Sequence, residues 1–163
     1  MNTLRLDFIN AKAPYNVQYN DYPNEYCFKS DSGIEVIVSI KEDYSIVPSG
    51  AYALGIVNAS HKPSPGDAKF RLTLMAIIEE FFEQNNDVML YLTETGDERQ
   101  EMRNRLFVRW FNTYEHRDRF FIRTAEGMME GQMNFMAILS RLDNPLLSVV
   151  VEEFDETISL LFD

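Results

Sequence analysis

Between residues 68 and 114 the apolar positions change period twice, and the prediction is organised around that stretch. Phe70, Leu74, Ile77, Ile78 and Phe81 recur at helical spacing. Residues 88–92 form an unbroken apolar run, after which Met102, Leu106, Trp110 and Tyr114 resume the helical period. A short, fully apolar strand between two amphipathic helices belongs in the middle of a helix-covered sheet. The connections through helices further predict a parallel step to at least one neighbouring strand. Ser64 is the expected N-cap of the first helix, with Pro65 at its first position and Asp67 where a capping box places an acid. Thr95 and Glu98 have the capping-box spacing for the second helix.

Residues 1–22 are polar, rich in Asn and Tyr, and weakly periodic, which predicts a short leading strand or an ordered arm over the sheet. Residues 25–29 and 34–40 read as strands joined by Ser30-Asp31-Ser32-Gly33 in a hairpin. Residues 51–58 form a third strand, in which Gly55 marks a bulge or a close backbone approach. Residues 119–124 and 133–141 read as a later hairpin turning through 127–131. Asp143-Asn144-Pro145 opens a last helix whose apolar face is Leu147, Val150, Val151, Phe154, Ile158 and Leu161. The expected fold is α+β: one globular domain over 1–163, with a mixed, mostly antiparallel sheet of about six strands flanked by three helices.

Composition fits such a core. Of 163 residues, 45% are hydrophobic and 13% aromatic, which separates the chain from disordered sequences. The single Cys27 excludes an internal disulfide and suits a reducing compartment. With neither a charged start leading into an apolar segment nor an apolar run of spanning length, the expected location is cytoplasmic, away from membranes. A net charge of −11 argues against direct nucleic-acid binding. The charge is uneven: residues 97–123 hold seven of the fifteen basic groups, all Arg, whereas 124–163 hold eight acids and only Arg141. That asymmetry fits either an internal electrostatic match or a small anion site in an acidic shell.

The chemistry worth testing lies on the second helix. Arg99 and Arg103 fall inside the face made by Met102, Leu106, Phe107, Trp110 and Tyr114. A guanidinium there needs a carboxylate, carbonyls or a bound anion to offset lost hydration. Both also follow directly on a strand, at the end of the sheet where ligands bind in open parallel arrangements. One reading is an anion or carboxylate clamp formed by Arg99 and Arg103. The other is a structural pair with an acid such as Glu94, or an Arg stem running past the apolar face. Trp110, with Phe107 and Phe111, is a core anchor or a ligand platform, while Arg105 and Arg109 read as flanking surface charge. Glu79, Glu80 and Glu83 read as the solvated face of the first helix.

Elsewhere nothing points to catalysis. His61 and His116 lie far apart in loops without matching ligands, so no metal is expected. Cys27, between Tyr26 and Phe28, has no basic neighbour to activate it. The Met128, Met129, Met133 and Met136 cluster either fills a core or adapts to a partner. Tyr15, Tyr19, Tyr22 and Tyr26 either face a partner or lid the sheet.

Two resemblances bear on function. The run over residues 97–111, an acid, an Arg and then Leu106-Phe107-Val108-Arg109-Trp110, resembles the hallmark of a family of small uncharacterised bacterial proteins. Tyr26-Cys27-Phe28 and the strand over 34–40 also fit that pattern, which implies no activity. The element order, three antiparallel strands, helix, strand, helix and two strands, is similar to the core of the GNAT acyltransferase superfamily. That resemblance implies a Gly-rich loop before the first long helix, holding the pyrophosphate of acyl-coenzyme A on its N–H groups. Here the loop is Pro63-Ser64-Pro65-Gly66-Asp67-Ala68, with one Gly, two residues lacking N–H groups and an acid. The expectation is therefore a non-catalytic cytoplasmic binding or interaction module without a cofactor. Its partner would be a protein or a small anionic ligand. The alternative is a divergent acyl-coenzyme A-binding, acyltransferase-like protein.

Overall fold

The computed structural model describes residues 1–60, 67–94 and 98–162, with the backbone alone at 94 and 98–101. In chain order the elements are α1 (Leu6–Lys12), β1 (Gln18–Asn20), β2 (Glu25–Lys29), β3 (Glu35–Asp43), β4 (Ala51–Asn58) and α2 (Ala68–Gln84). There follow β5 (Met89–Glu94), α3 (Glu98–Asn112), β6 (Phe120–Met129), β7 (Gln132–Arg141) and α4 (Leu147–Leu161). The strands form a mixed, mostly antiparallel sheet in the order β1-β2-β3-β4-β5-β7-β6. The α+β expectation holds, with four helices and seven strands among the described residues where three and about six were expected. The apolar strand is internal as predicted: β5 runs parallel to β4, pairing Tyr52 with Met89 and Leu54 with Tyr91. It runs antiparallel to β7 on its other side.

The described chain forms two compact units. The first comprises Met1–Ile40 and Gly55–Asn86. Its α2 is buried on nearly every side, from Thr73 through Phe82. The N-cap is Asp67, whose carboxylate accepts the Phe70 N–H, so the helix opens at Ala68. The capping role expected of Ser64 belongs to Asp67, and Ser64 and Pro65 lie outside the described residues. Helix α1, unforeseen in the sequence, lies against α2. Glu80, expected on a solvated face, is 5% exposed because Arg5 donates to it from both its backbone N–H and its guanidinium. Lys12 pairs with Glu79 at 2.5 Å. Gly55 marks a close approach, since a Cβ there would meet Ser39 Oγ at 2.5 Å.

The second unit comprises Lys41–Leu54 and Asp87–Asp163. Strand alternation divides its sheet residues between two helices. Val88, Leu90, Met136 and Ile138 join Val150 and Phe154 of α4 in one apolar cluster, closed by Ile46, Val47 and Ala51. Tyr91, Phe120 and Phe135 point the other way: Tyr91 and Phe120 meet Phe107 and Phe111 of α3, and Phe135 packs edge-on against Tyr91. The β6–β7 hairpin turns at Glu130 and Gly131, both with positive φ (54° and 79°), the backbone a two-residue turn needs.

Candidate functional site

Helix α3 has a buried stripe one residue away from the expected one. Asn104, Phe107 and Phe111 are buried, whereas Arg103 and Leu106 are exposed and Trp110 is half-buried. One residue is about 100° of helix rotation, so the whole surface turns by roughly a quarter of the circumference. Aromatic packing fixes this rotation. Phe107 stacks on Tyr91 with ring centroids 4.2 Å apart and planes 14° from parallel, and Phe111 meets Phe120 edge-on at 5.8 Å.

The polar residue in that stripe is the other reason. Asn104 Oδ1 accepts the Tyr91 hydroxyl at 3.2 Å and the Thr93 hydroxyl at 2.9 Å. Buried hydroxyls need such partners, and a leucine or arginine at 104 would strand both. Burial pushes the Tyr91 phenol up to about 12, with the positive charge of Arg103 acting in the opposite direction. Tyr91 therefore stays a neutral hydrogen-bond donor at physiological pH.

The expected site residues end up as follows. Arg103 is exposed and is not enclosed in the core, because the helix buries Asn104 in its place. Trp110 shares a flank of α3 with Arg103, two turns away, and is only partly covered, so Phe107 and Phe111 are the core anchors. Arg99 occupies the first turn of α3, and its side chain lies outside the described residues, as do Glu94's side chain, Thr95 and His61. Arg105 and Arg109, read as flanking charge, line a dent of 230 Å³ together with Met102 and Leu106. Met102 is 61% exposed and Leu106 38%. The spacing 102, 105, 106, 109 places all four on one face. Met102 and Leu106 were expected on the buried face, and the signal that this face turns outward was the pair of arginines, Arg105 and Arg109, flanking them at helical spacing.

A larger surface feature lies between α4 and β6. It is a groove of 740 Å³ whose lining includes Phe121, Arg123, Pro145, Leu147, Val151 and Asp155. Arg123 is held there by Asp155 through two parallel hydrogen bonds of 3.0 and 2.6 Å. This pair joins the arginine-rich middle of the sequence to its acidic tail.

The tyrosines of residues 15–26 divide between core and surface. Tyr15 and Tyr26 are buried, Tyr15 stacking on Phe28 at 6.0 Å and donating to Asp67 at 2.9 Å, while Tyr22 is 92% exposed. Burial and then the charges of Glu35 and Glu25 raise the Cys27 thiol, the opposite of activation. No group of acidic, His or Cys side chains among the described residues could hold a metal ion. Nor is any helix among them long and apolar enough to cross a membrane.

No curated protein and no solved structure matches the chain. A family model matches residues 66–156, a span that contains α2, β5, α3, the β6–β7 hairpin and most of α4. On that match the chain belongs to a family of unknown function, DUF6169.

Proposed function

We propose that the protein is a non-catalytic cytoplasmic binding module, and that the outward face of α3 holds a partner segment carrying carboxylates and apolar side chains. The observation that carries this reading is the placement of exposed Met102 and Leu106 among Arg103, Arg105 and Arg109 in a chain of net charge −11. Met and Arg are the residues that interfaces enrich, and guanidinium forks match carboxylates in geometry as well as charge. An acidic partner is repelled by most of this protein's surface, so the arginine-bearing helix sets where it lands. Trp110 extends the same surface along α3.

The test is fluorescence anisotropy with a labelled synthetic peptide in which Asp and Glu alternate with Leu and Phe. Binding is expected to saturate, to weaken with salt and to disappear in R105E/R109E, while K29E/K41E binds as wild type does. Equal binding by R105E/R109E would overturn the proposal.

A second reading, the acyl-coenzyme A binder, is favoured by one feature. The parallel β4–β5 step through α2, followed by α3 and the β6–β7 hairpin, keeps the expected element order. Against it, the Asp67 carboxylate already caps the N-terminus of α2, accepting from Phe70 N–H and the Tyr15 hydroxyl. A pyrophosphate placed there would face that negative charge.

A further inference from the structure

The groove between α4 and β6 has the chemistry that the α3 surface lacks. Its floor is apolar, with Phe121, Pro145, Leu147 and Val151, and its rim carries Glu152, Asp155 and Glu156. Among its lining residues Arg123 is the one cation, and the Nε–Nη2 edge of its guanidinium is paired bidentately with the Asp155 carboxylate. Glu152 and Glu156 therefore dominate the exposed charge of the rim. They are four residues apart on α4, as Arg105 and Arg109 are on α3, which puts each pair roughly 6 Å apart along its helix. Between the two arginines stands Leu106, with Met102 one turn earlier, matching the apolar floor between the acids.

We infer that the partner of the α3 surface is a second copy of this chain, whose α4–β6 groove receives Met102 and Leu106 while Glu152 and Glu156 pair with Arg105 and Arg109. The inference rests on the reading of α3 as a docking surface. The two surfaces differ, so the contact is head-to-tail, and each copy bound through α3 still offers its own groove. Association then proceeds beyond a dimer, to a ring or a short filament, and is opposed by salt because charge pairs set the register.

Sedimentation velocity over a micromolar concentration series tests this on the full chain. The average mass of the wild type is expected to rise with concentration and to fall back in high salt. R105E/R109E and E152R/E156R, all exposed positions whose far-UV circular dichroism checks folding, should each weaken association by roughly tenfold or more. Mixed in equal amounts they should associate again, in alternation, since every contact between the two variants joins opposite charges while each variant repels its own kind. A wild type that stays monomeric throughout, or a reversed variant that associates as the wild type does, overturns the inference. If the monomeric wild type still binds the acidic peptide through α3, self-association falls and the docking surface stands; if the peptide also fails, both fall. A monomeric wild type that takes up a Lys- and Leu-rich peptide in the groove, with binding lost in E152R/E156R, overturns the second copy in favour of a foreign basic segment.

Discussion

Replacing Phe107 by Ala, alongside Leu106 by Ala, decides the rotation of α3 on which the candidate surface depends. Phe107 is 4% exposed and lies flat on Tyr91 at 4.2 Å. Truncating a core Phe to Ala costs about 3–5 kcal/mol. The stacked pair accounts for roughly 0.5–1.5 kcal/mol of that, beyond the area it buries. Leu106 is 38% exposed, so its loss forfeits roughly 1–2 kcal/mol, the buried share of the about 1.5–3 kcal/mol that full burial contributes. Phe107→Ala should therefore be the more damaging by about 2–3 kcal/mol.

Urea unfolding followed through Trp110, the only tryptophan, reports on the unit that contains both residues. The comparison is valid where the m-value is unchanged, because the shift in midpoint is then a shift in stability. If Leu106→Ala costs as much as Phe107→Ala, the stripe Arg103–Leu106–Trp110 faces inward. The exposed apolar-and-arginine surface would then not exist, and the function built on it would go with it.

Asp67→Ala removes the α2 cap and should cost about 1 kcal/mol, with Asp67→Asn nearly neutral; equal losses in chemical unfolding would show that the cap contributes nothing. Glu80→Ala should lower the thermal midpoint clearly more than Glu83→Ala, since Arg5 pairs with the buried acid and Glu83 is exposed; equal midpoints would refute the pairing. The Tyr91 phenol is raised from 10.0 to about 12 by burial, so the unfolded chain ionises first. Its contribution to stability is complete below pH 10 and lost as the pH rises through 12, and Tyr91→Phe should flatten that fall; an unchanged pH profile would contradict it. Acyl-coenzyme A should leave the melting temperature unchanged, given Asp67 at the head of α2; a saturating rise, absent with adenosine, would promote the acyltransferase-like reading.

Most of the fold was legible because its elements bury continuous stripes. The period of α2, the apolar run of β5 and the alternation of β3 are each set by local burial, and each was readable at its correct position. What escaped had no such stripe. Helix α1 buries only Ile9, and α1 is held instead by Arg5 on Glu80 and Lys12 on Glu79, contacts with residues more than sixty positions away. Strand β1 is exposed at all three residues and exists through its pairing with β2, which leaves no alternation to detect. Gly127 read as part of a turn, yet it lies inside β6. A Cβ there would come within 2.7 Å of Phe162 Cβ, so glycine answers to the close packing of the chain's end, not to a bend.

The candidate surface escaped for a subtler reason. Helix α3 carries two competing apolar i, i+4 series, Met102 with Leu106 and Trp110 on one face and Phe107 with Phe111 on the next, and periodicity alone favours the longer. The choice between them is made by β5 and β6 residues that α3 meets only in the folded state: Tyr91 offers a ring to Phe107, Phe120 meets Phe111 edge-on, and the Tyr91 and Thr93 hydroxyls find their acceptor in Asn104. Read from sequence, Asn104 argues for the outside and the longer apolar list argues for the face containing Leu106. Burying Asn104 satisfies two hydroxyls at once, whereas burying Arg103 would require desolvating a charge, which costs far more. By taking the polar residue inward, the helix leaves Met102, Leu106, Arg103, Arg105 and Arg109 at the surface, the arrangement on which the proposed docking surface rests.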